Sequence, residues 1–282
     1  MTAAAPVLQV VVFSRARPLQ LYAYLSSLDA RCTTGFEDDL SVSVLVRTDY
    51  IYEAAYAAVR ASFPLVTWWE EKDFASDVLE LLDPSVPYTL FGCDDGVFVG
   101  NWVLDTVAAH FEDDAEILGF SLRLGRNVVR DMFGNLMRQP QFIGEPDGGI
   151  VWDVQHPASE GDWAYPWEVL ATVYRTSFAR AIAEAVQPSS PNQLEARGAR
   201  IWRDLAEGKH HLASFGTSRL VAPTVNVVQQ EYPNGIVGRT PLSAEFLLQC
   251  WDAGLRLDHA ALAGRLPPPS WRIGDFPLLF SS

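Results

Sequence analysis

The chain reads as an α/β protein with a mainly parallel sheet flanked by helices. Short runs rich in β-branched residues alternate with stretches whose apolar residues recur at helical spacing, and several of these runs end in polar or charged residues. In addition, 49% hydrophobic residues over 282 positions supply enough apolar surface for a large core, arranged as one domain of two lobes or as two small domains.

The elements follow in order. Leu8 to Phe13, LQVVVF, is of strand length; Ser14-Arg15-Ala16-Arg17 forms a polar loop; Pro18 opens a helix carrying Leu21, Tyr24, Leu25 and Leu28. Ser41 to Asp49 is a second strand with a polar end, and the alanine-rich segment Tyr50 to Phe63 is a helix. VTWWEE reads as a short strand, FASDVLELL as a helix, and YTLFGC, Tyr88 to Cys93, as the next strand, followed at once by Asp94 and Asp95. A shift in composition near residue 120 separates a regular half, 1–120, from a less regular half, 121–282, of the same globular unit. In the second half Glu116 to Leu124 resembles a strand, 139–162 reads as loops, and Trp167 to Val186 as a short strand and a helix. Pro188 to Gln193 then breaks the pattern before a helix that Glu195 opens.

Charge narrows the partners. Lys+Arg 21 against Asp+Glu 35 gives a net −14, so no basic field draws a phosphate backbone, and a general nucleic-acid partner is excluded. The first residues lack a basic segment leading into a long apolar one, which predicts a soluble, cytoplasmic protein with no transmembrane segment. Cys32, Cys93 and Cys250 are scattered, which fits a reducing compartment and speaks against a cysteine zinc site or a disulfide framework.

In open parallel sheets ligands lie beyond the carboxyl ends of the strands. Ser14, Arg15 and Arg17, then Arg47 and Asp49, then Asp94 and Asp95, are therefore expected at one edge. Adjacent carboxylates repel unless a cation intervenes, and Mg²⁺ or Mn²⁺ supplies that charge while bridging to substrate phosphates. The competing reading makes the pair a turn before Gly96, with a cap for a helix near Asn101. Arg15 and Arg17 suit phosphate oxygens, aided by the amides that begin the helix after Pro18; taken singly each is a solvated charge. Asp49 suits hydrogen bonds from a base or ribose, or a helix cap before Tyr50.

VVVFSRARPLQLYAYLSSL and LFGCDDGVFV resemble the first strand, loop and helix and the acidic metal motif of bacterial glycosyltransferases with the GT-A fold, akin to family 2. Weaker echoes are FSLRLGRN, WAYPWEVLATVYRT, PNQLE and PTVNVVQ. The usual Asp-X-Asp is replaced here by Cys93-Asp94-Asp95. The resemblance implies metal-dependent, inverting transfer from a UDP-, GDP- or dTDP-sugar to a hydroxyl of a glycan or small molecule, with residues 1–120 holding the donor and 121–282 the acceptor. It implies Phe13, Ser14, Arg15, Arg17, Asp49, Asp94, Arg123 and Asn127 as donor-binding, Asp94 and Asp95 as ligands of Mn²⁺ or Mg²⁺, and Trp163 and Tyr165 as acceptor-binding.

An inverting enzyme needs a carboxylate base, for which Asp162 and Glu195 are the candidates. Their alternatives are a turn residue and a first-turn helix acid. His156, His210 and His211 are candidates for a third metal ligand or are solvated loop histidines, and Asn226 and Gln229 are further site candidates. Two other functions stay open. A sugar-phosphate nucleotidyltransferase would show a glycine-rich loop where this chain has FSRARP, and a non-catalytic nucleotide- or glycan-binding protein of the same fold would leave the sugar nucleotide intact.

Overall fold

A computed structural model describes residues 6–33, 39–131, 134–145, 148–223, 225–226, 228, 242–263, 272–273 and 280–281. The chain begins with strand β1 (Leu8–Arg15), helix α1 (Pro18–Arg31), β2 (Leu40–Arg47), α2 (Glu53–Ser62), β3 (Thr67–Glu70), α3 (Phe74–Leu81), β4 (Tyr88–Cys93), the short β5 (Val97–Phe98) and α4 (Leu104–Asp113). It continues with β6 (Ile117–Ser121), β7 (Phe142–Gly144), β8 (Gly149–Asp153), β9 (Thr172–Arg175), α5 (Thr176–Val186), α6 (Pro191–Leu205), β10 (His211–Phe215), β11 (Leu220–Pro223) and α7 (Ala244–Asp252).

Nine strands form one sheet in the order β3-β2-β1-β4-β9-β6-β10-β8-β7. The pairs β1 with β2, β1 with β4, β2 with β3 and β6 with β10 are parallel; β9 runs against β4 and β6, and β8 against β10 and β7. The sheet is therefore mostly parallel, with only β8 and β9 reversed. It joins strands from both sides of residue 120, and β6 itself crosses that point.

Period-2 alternation divides the apolar residues between two cores, one on each face of the sheet. Val10, Val12, Val42, Val44 and Leu90 pack toward α1, α2, α4 and α7, whereas Val11, Phe13, Leu45 and Phe91 pack toward α3, α5 and α6. Because both faces are covered, the strands read as unbroken apolar runs. Two helix starts differ from the sequence expectation. Pro191 is the first helical residue of α6 and Ser190 its N-cap, accepting from the Gln193 amide at 3.2 Å. The proline thus begins the helix instead of delaying it, and Glu195 lies beyond the first turn. The stretch after Asp49 starts as a 3₁₀ turn, Tyr50–Tyr52, before α2.

Register carries the candidate site residues to one edge. Arg15 pairs with Arg47 across β1 and β2, and Phe13 with Cys93 across β1 and β4. Gly92, just before that end of β4, faces the buried Tyr24 ring: a Cβ there would stand 2.2 Å from the phenolic oxygen. Gly92→Ala is expected to lower stability by about 1–3 kcal/mol through overpacking, read as a shift of the urea midpoint at unchanged slope.

Candidate active site

The loop from β1 to α1 is wound tightly around Asp94. Ala16 sits in the left-handed region at φ 53, an uncommon conformation for a residue with a Cβ and one that recurs at functional sites. The end of β1 and this loop direct three donors at the Asp94 carboxylate: Ser14 Oγ at 2.9 Å and the Arg15 amide at 3.1 Å on Oδ2, and Arg17 Nη1 at 2.9 Å on Oδ1. Tyr56 of α2 ties the loop down, its hydroxyl lying 2.7 Å from Ser14 Oγ and accepting from the Arg17 amide at 3.1 Å. Asp94 and Arg17 are both buried. Burial pushes the Asp94 carboxyl upward and Arg17 pulls it back, leaving a net rise.

Asp95 is differently placed. Its side chain keeps 23% exposure, and one oxygen lies 3.6 Å from Arg17 Nη1. The Gly96 amide donates to the Cys93 carbonyl at 3.0 Å, so the acid pair occupies the centre of a β-turn. The turn reading and the sheet-edge reading are thus both realised. Capping is not, because α4 begins only at Leu104 and has no side-chain cap.

Of the residues expected at the donor, Arg15 and Asp49 are exposed, and Asp49 makes no capping bond to the 3₁₀ turn that follows it. Three others need correction. Phe13 is core, packed on Phe74 and Phe91 at 5.2 and 5.8 Å, and touches the site only through its carbonyl, which accepts the Asp94 amide at 3.1 Å. Ser14 is buried and holds Asp94. Arg17 is turned inward, its Nη2 donating to the Asn226 carbonyl at 2.6 Å, so it neutralises the acid pair instead of clamping a diphosphate. Near it, Gln20 Nε2 donates to Asn226 Oδ1 at 3.0 Å, while Arg17 Nε, Gln20 Oε1 and Asn226 Nδ2 are buried with no partner among the described residues. Gln229 lies outside the described residues.

A second cluster stands beside the first on the same edge. Arg123, just past β6 and buried, donates to Asp162 Oδ1 at 3.1 Å and has Glu168 Oε2 at 3.8 Å. Glu168 accepts from the Leu170 and Ala171 amides at 2.7 and 3.0 Å. Glu195 accepts from the Tyr165 hydroxyl at 3.2 Å and the Val169 amide at 3.1 Å. Burial, then the neighbouring Glu168 charge, raises Glu195 to about 7. Cys93 links the clusters: its thiol is near the Val169 carbonyl at 3.6 Å, and it is pushed well up by burial and by the charges of Asp95, Asp94, Glu195 and Glu168.

Other expectations are corrected here. Trp163 is fully buried, its ring 4.9 Å from that of Trp152 and 5.9 Å from that of Phe142, so it presents no face to a sugar. Asn127 braces two loops, exchanging hydrogen bonds of 2.9 Å with the hydroxyl and amide of Ser218. His156, His210 and His211 lie at the opposite sheet edge, by the end of β8 and the start of β10, away from Asp95. Glu168 was not anticipated; its signal is a single acid in the apolar run Trp167 to Tyr174, which a buried partner must neutralise. Tyr56 carries no such signal, being one aromatic in an alanine-rich helix.

No family model matches the chain. The chain is 22% identical over 259 residues to the bifunctional glycosyltransferase pgtA of Dictyostelium discoideum, covering 83% of this chain and 34% of that protein. Among solved structures, S. aureus TarS 1–349 in complex with UDP-GlcNAc is similar with a TM-score of 0.50 at 12% identity, covering 83% of this chain and 61% of that one. TarS 1–349 in complex with UDP gives 0.49 at 12% identity over 76% and 60%. The fold is similar to that of TarS 1–349, an α/β arrangement on a mostly parallel sheet. The chain thus spans about a third of pgtA and about three fifths of TarS 1–349. Among the described residues no helix is long and apolar enough to cross a membrane.

Glu195 makes stability depend on pH. Below its ordinary value of 4.5 both folded and unfolded chains bind the proton; between 4.5 and about 7 only the folded chain does, so its contribution is lost as pH rises through that window. Glu195→Gln keeps an acceptor for Val169 and a donor for Tyr165. It is expected to flatten this dependence, removing up to about 3 kcal/mol of the loss between pH 5 and pH 8 in urea unfolding.

Proposed function

We propose that the chain is a metal-dependent glycosyltransferase that moves a sugar, with inversion, from a UDP-sugar to a hydroxyl of a glycan or small-molecule acceptor. The observation that carries this reading is the division of labour after β4: Asp94 is committed to Arg17, while Asp95 keeps an accessible carboxylate at the sheet edge where nucleotides bind. TarS bound to UDP-GlcNAc supports UDP over GDP or dTDP as the donor class.

Mn²⁺ or Mg²⁺ fits Asp95, since such ions take one or two protein carboxylates and complete their shell with phosphates and water. Gln20, whose oxygen has no partner among the described residues, lines a small cavity with Asp94 and Asp95 and adds an acceptor for a ligand's polar atoms. When bound, the ion would offset the charge that builds on the departing diphosphate. Arg15 contributes a guanidinium to the same diphosphate, and Asp49 accepts from the base or ribose.

Chemistry then falls to the second cluster. The acceptor oxygen attacks the anomeric carbon, the bond from that carbon to the diphosphate oxygen breaks, and the acceptor proton passes to Asp162. Arg123 fixes the Asp162 carboxylate, as a base must be held to act. Glu195, whose two oxygens already accept from Tyr165 and Val169, is a positioning residue behind it, and Tyr165 borders the acceptor.

Calorimetry with UDP, GDP and dTDP, with and without Mn²⁺, tests the reading. UDP is expected to bind in a Mn²⁺-dependent manner to the wild type but not to Asp95→Asn, whose unfolding free energy stays within about 1 kcal/mol of wild type. No nucleotide binding to the wild type would reduce the acid pair to a turn. Asp94→Asn is expected to lose about 3–5 kcal/mol in urea unfolding, because buried Arg17 loses its direct partner at 2.9 Å and keeps only the more distant Asp95. Asp162→Asn should retain UDP binding while transfer, followed by UDP release, falls about 10²–10⁴-fold. Undiminished transfer would move the base elsewhere.

A further inference from the structure

The sheet edge opposite the acid pair carries a polar cluster that the proposed transfer does not use. His210 and His211 lead into β10, between Glu116 at the start of β6 and Asp153 at the end of β8. The backbone holds them firmly: both histidine amides donate to the Glu116 carbonyl, at 3.1 and 3.0 Å, and the Val154 amide donates to the His210 carbonyl at 3.0 Å. Neighbours in a regular strand point to opposite faces. Here the register with β6 shifts between His211 and Leu212, and the two imidazole rings lie 4.7 Å apart.

The outer contacts settle the ring nitrogens. His210 Nδ1 is 2.7 Å from the Gly208 carbonyl oxygen and His211 Nδ1 is 3.0 Å from Asp114 Oδ2. Both partners accept only, so each Nδ1 carries a hydrogen and, in the neutral ring, each Nε2 presents a lone pair. Those lone pairs converge on one carboxylate: Glu116 Oε2 is 4.0 Å from His210 Nε2 and 3.1 Å from His211 Nε2. Asp153 Oδ2 is 3.9 Å from His210 Nε2. Ligand atoms about 2.0–2.2 Å from a tetrahedral ion stand roughly 3.3–3.5 Å from one another, within the spread found here. An imidazole whose far nitrogen donates to a carboxylate or backbone carbonyl is the supporting arrangement that metal-binding histidines use.

We propose that Glu116, His210 and His211 bind a divalent cation of the zinc class, with water completing its shell. Two imidazoles with a carboxylate suit Zn²⁺ or Co²⁺, whereas Mg²⁺ and Mn²⁺ favour oxygen ligands such as Asp95. The ion would cross-link the segments that lead into β6 and β10, stapling the less regular half of the sheet from its far side. The metal-free competitor is His211 simply paired with Asp114 and Glu116, at 3.0 and 3.1 Å.

Co²⁺ titration of the metal-free full-length chain, read by visible absorption and competed with Zn²⁺, tests the site. The wild type is expected to show tetrahedral d–d bands saturating at one equivalent, and a rise in Tm with Zn²⁺. Asp114→Asn, which removes only the outer support of His211, should weaken Zn²⁺ binding roughly 10- to 100-fold. His210→Ala and His211→Ala should weaken it by more, and Asp95→Asn should leave it unchanged. Absence of the bands from the wild type overturns the proposal without recourse to any variant and leaves the metal-free pairing of His211 with Asp114 and Glu116 in its place. Bands that persist in His210→Ala and vanish in Asp95→Asn overturn it equally, by placing the ion at the other edge.

Discussion

Arg17 and Asp94 form an ion pair in the interior, where β1, β4 and the loop that leads into α1 meet. Removing both charges from water is expensive, so such a pair is tolerated only when the remaining hydrogen-bonding capacity is filled. Ser14, the Arg15 amide and the Asn226 carbonyl fill much of it, and Tyr56 locks the chain segment that supplies the first two. The consequence reaches beyond stability. With one carboxylate of the acid pair fully engaged, the other is held at the edge of the sheet with its charge only partly offset.

A charge imbalance governs the neighbouring cluster. Arg123 faces Asp162 and Glu168 directly and also senses Glu195, so one guanidinium answers three carboxylates. Glu168 is further satisfied by two backbone amides and Asp162 by its bond to Arg123. Burial first, and then this imbalance, act on Glu195, the acid with one hydrogen bond to a neutral hydroxyl and one to an amide, and it retains a proton close to neutral pH. Cys93 lies between this cluster and the acid pair, its thiol 3.6 Å from the Val169 carbonyl and its backbone leading directly into Asp94.

Much of the architecture was legible from local pattern. The alternation of apolar runs and helical spacing located the parallel strands, since strands buried on both faces must be apolar throughout. The meeting of Arg15, Arg47 and Asp94-Asp95 at one edge followed from that topology and from register. Less legible was the role of each side chain once there. Arg15 and Arg17 are two residues apart in the chain, yet one is exposed and the other buried, because Ala16 in the left-handed region turns the chain between them. Trp163 and Tyr165 likewise sit in one short segment, and only the packing of Trp152 decides that the first belongs to the core.

By itself, then, the sequence determined the α/β class, the order of the strands' chemistry along one edge and the acid pair as its focus, because these depend on period, length and chain direction. Tertiary structure alone decided which acid is neutralised within the protein, that Glu168 joins Arg123, that Glu195 points inward from beyond the first turn of α6, and that two histidines meet Glu116 at the far edge. Each of these depends on contacts between residues far apart in the chain, such as Arg17 with Asn226 and Glu116 with His211, and burial and electrostatic pairing at such contacts are set by three-dimensional packing that no local pattern encodes.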